Sequence, residues 1–222
     1  MPRHARFRVD GYPYHVIQRG NNRNACFVDD RDRVFYLGLL EEFSAADRCD
    51  VHAYVLMTNH VHLLVTPESG AAVSQFMKDV TQRYTQRFNR KYRRTGSLWE
   101  GRFRSSIVDA GYAMTCQRYI ELNPVRAGMV PHPAFYPWSS YHVNAEGLPS
   151  NLVKAHPQFM TLGPDDRSRR DAYIDYLEEA VSPRELERIR NAGRGGFALG
   201  NAGFGARMKA LLGESPLRAR PR

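Results

Sequence analysis

Two β-rich apolar runs, residues 51–57 and 60–66, are separated only by Thr58 and Asn59. A two-residue connection between such runs forms an antiparallel hairpin. The hairpin needs cover for an apolar face, and the flanking segments supply it. Residues 12–19 alternate and read as a strand, ended by Gly20, Asn21 and Asn22. Asp29 or Asp30 caps a helix to about Arg48, with Val34, Leu37, Leu40 and Phe43 as its apolar stripe. A longer helix, from about Ala72 to Arg93, carries Val73, Phe76, Met77, Val80, Tyr84 and Phe88 at helical spacing, and Gly96 breaks it. Residues 98–108 read as extended, with a bend at Gly101. A helix from about Ala113 to Leu122 closes at Asn123-Pro124, because proline disfavours a helical residue before it.

The order strand, helix, strand-turn-strand, helix, strand predicts an α+β fold, a ferredoxin-like split βαβ with an antiparallel sheet. Helices are expected on one sheet face, with the other left free. After Asn144 the texture changes to a Gly- and Pro-containing loop, short helices and the tail Arg218, Arg220, Arg222. The expected division is a catalytic domain over 1–145 and a mainly helical extension with a basic tail over 146–222.

The chain holds 32 basic and 23 acidic residues, a net charge of +9. That excess points to a polyanionic partner. With 42% hydrophobic residues the chain can bury a core, which excludes intrinsic disorder. No apolar run is long enough to span a bilayer, and the three cysteines have no paired spacing. The expected address is the cytoplasm, in association with the nucleoid, with no membrane partner.

Most of the excess lies in residues 78–104, which hold nine bases and two acids. Lys78, Arg83, Arg87, Arg90, Lys91, Arg93, Arg94, Arg102 and Arg104 are interleaved with Tyr84, Phe88, Tyr92, Trp99 and Phe103. Arginines neutralise phosphates and aromatic faces stack on unpaired bases, so the segment is expected to bind single-stranded nucleic acid. Trp99 is counted among those contacts. Arg19 and Asn21, in the loop after the first strand, are expected to touch DNA as well.

Two patterns carry chemistry. His60 and His62 flank Val61 on a strand, so both imidazoles share one face, roughly 6.5–7 Å apart along the chain. Such a pair can bind a divalent metal, given a third ligand and an open position. Tyr119 and Asn123 are four residues apart on a helix and project side by side. A phenol can serve as a covalent nucleophile, and a carboxamide oxygen can ligate a hard metal. His52, in the neighbouring strand, reads as structural or as a phosphate contact. His15, His132, His142 and His156 lack motif spacing and read as ordinary residues.

The segment Met57 to Val65, with its His60-Val61-His62, resembles the HUH motif of single-tyrosine transposases. Gly96, Leu98, Trp99, Gly101, Arg102 and Phe103 resemble the REP-associated branch of that superfamily. So does the run Tyr119-Ile120, then Leu122 to Gly128. Trp138-Ser139-Ser140-Tyr141 is similar to a segment that branch carries at this place. The resemblance spans roughly residues 7–145.

It implies a metal-dependent DNA strand transferase. His60, His62 and Asn123 would hold Mg²⁺ or Mn²⁺, and Tyr119 would attack the scissile phosphate to give a 5′-phosphotyrosyl enzyme and a free 3′-hydroxyl. No nucleotide cofactor is implied, since the phosphodiester energy is stored in the adduct. Insertion-sequence relatives commonly carry Gln where this chain has Asn123, which implies a domesticated enzyme acting on palindromic repeats. The expected partner is a single-stranded DNA hairpin, bound by a monomer or homodimer. Two rivals remain open: a non-catalytic regulator that binds DNA or RNA hairpins, and a metal phosphodiesterase that uses water and leaves Tyr119 without a role.

Overall fold

The computed structural model describes residues 9–179, 181–195 and 197–212. The arginines of the tail, Arg218, Arg220 and Arg222, lie outside the described residues. Strands β1 (Tyr14–Arg19), β2 (Cys49–Met57), β3 (His60–Pro67) and β4 (Arg104–Ile107) form one sheet in the order β2-β3-β1-β4. Every neighbouring pair is antiparallel. Helices α1 (Asp30–Ala46) and α2 (Ala72–Lys91) provide the two crossovers. This is the α+β, split βαβ arrangement expected from the element order.

Helix α1 begins where the sequence allows. Asp29 is its N-cap and accepts from the Asp32 amide, while Asp32 accepts in return from the Asp29 amide. The buried stripe differs in part from the expected one. Leu40 is buried and Leu37 and Phe43 pack against the core as expected, but Val34 is 60% exposed and Tyr36 and Leu39 join the buried set. Tyr36 turns the helix, packing edge-on against Phe27 and Tyr84 at centroid distances of 5.4 and 5.0 Å. The α2 stripe is as expected, with all six of its apolar residues buried. It packs with α1 on the sheet face that carries Tyr14, Val16, Val61, Leu63 and Val65.

The other face is covered, contrary to the expectation that it is free. Helix α3 (Ala113–Glu121) lies on it, followed by the four-residue α4 (Asn123–Arg126). Three short or mid-length helices then lead into the extension: α5 (Tyr141–Asn144), α6 (Pro157–Met160) and α7 (Asp166–Glu178). Helices α8 (Pro183–Gly195) and α9 (Ala202–Leu212) complete the described chain. Ile189 and Ala192 of α8 join Ala113, Cys116 and Ile120 of α3 over Ala53, Val55 and Leu64. Apolar side chains on both faces of β2 and β3 require this second layer.

The extension packs back on the first half of the chain. The Glu121 carboxylate is fully buried at the end of α3. Its Oε1 accepts from Ser140 Oγ at 2.6 Å and Asn144 Nδ2 at 2.7 Å. Its Oε2 accepts from the Tyr173 hydroxyl of α7 at 2.8 Å. The sheet edges are covered too. The Leu56 amide donates to the Trp138 carbonyl at 2.9 Å, and the Leu199 amide donates to the Ile107 carbonyl at 2.8 Å.

Candidate active site

Alternation along β3 sends Val61, Leu63 and Val65 to the α1–α2 face and His60 and His62 to the α3–α8 face. The two imidazole rings lie 5.0 Å apart, centroid to centroid. On α3, Tyr119 turns its ring toward the same place, 5.9 Å from His62. His60, His62, Tyr119 and Asn123 all line one cleft of about 340 Å³. The four residues singled out from two separate sequence motifs are therefore neighbours.

His15 completes the group, although its spacing in sequence marks nothing. It stands on β1, which pairs with β3, and its Nε2 is 2.8 Å from His62 Nδ1. Its ring stacks on His62 at 5.0 Å and meets Tyr119 edge-on at 5.8 Å. Only the strand order β3-β1 could reveal this.

The hydrogen bonds orient both candidate ligands. Asn59 donates through Nδ2 to the Arg23 carbonyl, so its Oδ1 is left to accept from His60 Nδ1 at 2.6 Å. That places the His60 proton on Nδ1 and leaves Nε2 with a free lone pair. His62 meets His15 through Nδ1, and when that Nδ1 is the donor its Nε2 is left with a free lone pair. Burial pushes His60 down to about 4, helped by the Arg19 cation. Burial pushes His15 down to about 3. His62 falls well below the usual imidazole range through burial, then through its histidine and arginine neighbours. All three rings are neutral near pH 7, the state that binds metals.

Among the described residues no cluster of three or more His, Cys, Asp or Glu side chains could hold a metal. A metal bound in the cleft would have two imidazole nitrogens and the Asn123 carboxamide as donors. Asn123 Nδ2 donates to the Tyr119 carbonyl at 3.2 Å, so its oxygen is the atom left for a ligand. Two nitrogens and one oxygen, with the rest of the shell open to phosphate and water, fit a six-coordinate divalent cation.

The cleft is strongly basic. Arg19, Arg102, Arg104, Arg126, Arg190 and Arg194 line it, with Glu100 as the one acid among its lining residues. Of the expected DNA contacts, Arg19, Arg102 and Arg104 are thus in the cleft. Arg126, Arg190 and Arg194 line it as well, although no motif or charge run in the sequence marks them as DNA contacts. Gly193 lets α8 sit close, since a Cβ there would stand 2.7 Å from Ile17 Cδ1.

Arg83, Arg87 and Arg90 lie elsewhere. With Arg31 and Phe35 they line a shallow hollow between α1 and α2, on the far side of the sheet from the cleft. Arg93 and Arg94 are exposed beyond the end of α2, and Arg94 covers the Phe88 ring.

One expected contact is corrected, and a second has other partners. Trp99 is 6% exposed and packs against Tyr36 and Tyr84, so its ring is core and presents no face to a base. Tyr84, Phe88 and Phe103 are buried with it. Lys91 is held 2.7 Å from both Asp29 and Asp32, which commits its ammonium to the α1 N-terminus. His52 is structural, bridging the Lys154 carbonyl at 2.7 Å and Thr66 Oγ1 at 2.9 Å.

A neutral imidazole pair, a phenol and a carboxamide in an arginine-lined cleft have the chemistry to receive and rearrange a phosphodiester. Residues 8–123, just over half of the chain, match the family described as Transposase IS200 like, and the chain belongs to that family. One solved structure with this fold is described as the REP-associated tyrosine transposase bound to a REP hairpin. It is 19% identical, covers 70% of this chain and 92% of that one, and has a TM-score of 0.57. A chain from Deinococcus radiodurans R1, described as a transposase, is 22% identical over 55% of this chain and 96% of its own, with a TM-score of 0.38. No curated protein matches. Among the described residues no helix is long and apolar enough to cross a membrane.

Proposed function

We propose that this chain nicks and rejoins single-stranded DNA at hairpins with a short flanking sequence, using Tyr119 as nucleophile. The observation that carries the reading is the meeting of Tyr119, His60, His62 and Asn123 in one basic cleft. The phenol oxygen attacks the scissile phosphorus, and the bond to the 3′-oxygen breaks. The proton lost by the phenol balances the one gained by the departing 3′-oxygen. The products are a 5′-phosphotyrosyl enzyme and a free 3′-hydroxyl, and a second 3′-hydroxyl can reverse the step.

A Mg²⁺ or Mn²⁺ ion held by His60 Nε2, His62 Nε2 and the Asn123 oxygen would supply Lewis-acid polarisation of the phosphate. Arg19, Arg102 and Arg104 hold the flanking strand by its phosphates. Hairpins are the substrate class because a structure of this fold is described as bound to one. The exposed Arg83, Arg87 and Arg90 surface suits the stem's backbone.

The test is incubation of hairpin oligonucleotides with the protein and Mn²⁺ or Mg²⁺, then a denaturing gel. A protein–DNA adduct is expected, with Mn²⁺ at least as effective because imidazole ligands suit it better. EDTA should abolish the adduct. Its absence with every hairpin and both metals, or full cleavage in excess chelator, would overturn the reading.

A further inference from the structure

Arg126 stands at the end of α4, and the sequence explains how it reaches the site. Pro124 has no N–H, so the Ile120 carbonyl receives no helical bond from it, and the helix is interrupted at Leu122. Arg126 lies seven residues after Tyr119, two helical turns on, and its side chain reaches back to it. Its guanidinium carbon lies 4.3 Å from the centroid of the Tyr119 ring. Its Nη2 donates to the Tyr119 carbonyl. Nη1 is buried and has no hydrogen-bond partner.

That last atom carries the argument. A cationic donor sealed from water and left unpaired costs free energy. Arg33 and Arg118 also keep a buried nitrogen unpaired, but neither lines the cleft. Arg102, Arg104, Arg190 and Arg194 are exposed. Arg126 instead lines the cleft beside the phenol. Burial brings its pKa down to about 10, aided by Arg190 and opposed by Tyr119, so it stays a cation near neutral pH.

We infer that Arg126 is a catalytic residue whose Nη1 donates to a non-bridging oxygen of the scissile phosphate. The inference rests on the reading of Tyr119 as nucleophile. The guanidinium lies on the phenol ring, so a phosphate that reaches the nearly buried phenol also uncovers this donor. The fork then holds ring and phosphate together, with Nη2 on the Tyr119 carbonyl and Nη1 on the phosphate. A preorganised cation held against the phosphate stabilises charge as it develops there.

Single-turnover cleavage by the full chain with Mn²⁺ tests this, using wild type, Arg126→Ala and Arg126→Lys. Each acts on a hairpin with a normal scissile phosphate and on one with a methylphosphonate there, which lacks the anionic oxygen. On the normal substrate Arg126→Ala should be slower by roughly 100-fold or more, the usual loss for one such donor. Added guanidinium should restore part of the rate, and hairpin affinity should stay nearly unchanged. On the methylphosphonate the variant and wild type should cleave at nearly equal rates. An equal deficit on both substrates would reduce Arg126 to a helix clamp and overturn the inference, as would wild-type speed on the normal one. Should Arg126→Ala lose its cooperative melting transition, Arg126→Lys carries the same comparison. No adduct from wild type would sink the Tyr119 reading and this inference with it, whereas a wild-type adduct with an undiminished Arg126→Ala would sink this inference alone.

Discussion

His15 Nε2 lies 2.8 Å from His62 Nδ1, so one strand's histidine sets the ring orientation of its neighbour's. Partners of this kind fix the tautomer of a metal-binding imidazole, and their loss typically weakens metal binding about 10–100-fold. His15→Ala is therefore expected to weaken Mn²⁺ binding by that order. Calorimetric titration of Mn²⁺ without DNA reads it directly. Unchanged affinity would leave the His15–His62 pair a matter of packing.

Tyr119→Phe deletes one oxygen and keeps the ring that Arg126 covers and His62 abuts. The variant should melt close to wild type and bind hairpins with the same affinity, yet form no adduct and make no nick. Nicking by the purified variant would exclude the phenol as nucleophile.

The α2 surface and Lys91 should separate cleanly. Replacing Arg83, Arg87 and Arg90 with Ala should weaken binding to all hairpins alike. It should also flatten the salt dependence, lowering the slope of log affinity against log salt by roughly 0.9 for each stem phosphate that is no longer neutralised. Lys91→Ala should leave affinity and salt slope alone and lower the melting temperature, because its ammonium bridges Asp29 and Asp32. Binding isotherms across a salt series, with thermal melts, decide both. A Lys91 variant with a lowered salt slope would return that residue to the DNA surface.

Tyr173→Phe tests the join between α7 and α3. It leaves Glu121 Oε2 buried without the 2.8 Å donor it now has. A buried acceptor left unpaired costs about 1–3 kcal/mol. For a chain of this size each kcal/mol lowers the melting temperature by about 2–4 °C. A melt indistinguishable from wild type would mean that α7 contributes little to holding α3.

Local periodicity determined the pieces of this protein. A two-residue turn between β-rich runs set the hairpin, and period two along β3 put His60 and His62 on one face. The 3.6-residue helical period put Tyr119 beside Asn123, and the α2 apolar stripe was legible to the residue. These signals depend on neighbours within a few positions, so they survive in sequence alone. What covers each face does not. The aromatic residues around Trp99 read as stacking platforms, yet Tyr36 and Tyr84 draw Trp99 into the core. The sheet face with the histidines read as open, yet α3 and α8 close it into a cleft. His15 became part of the site only because β1 pairs with β3, and Arg190 and Arg194 only because α8 folds back over β1. Such pairings join residues dozens to more than a hundred positions apart. They are chosen by which apolar surfaces and buried polar groups can be satisfied together, and that choice belongs to the whole fold.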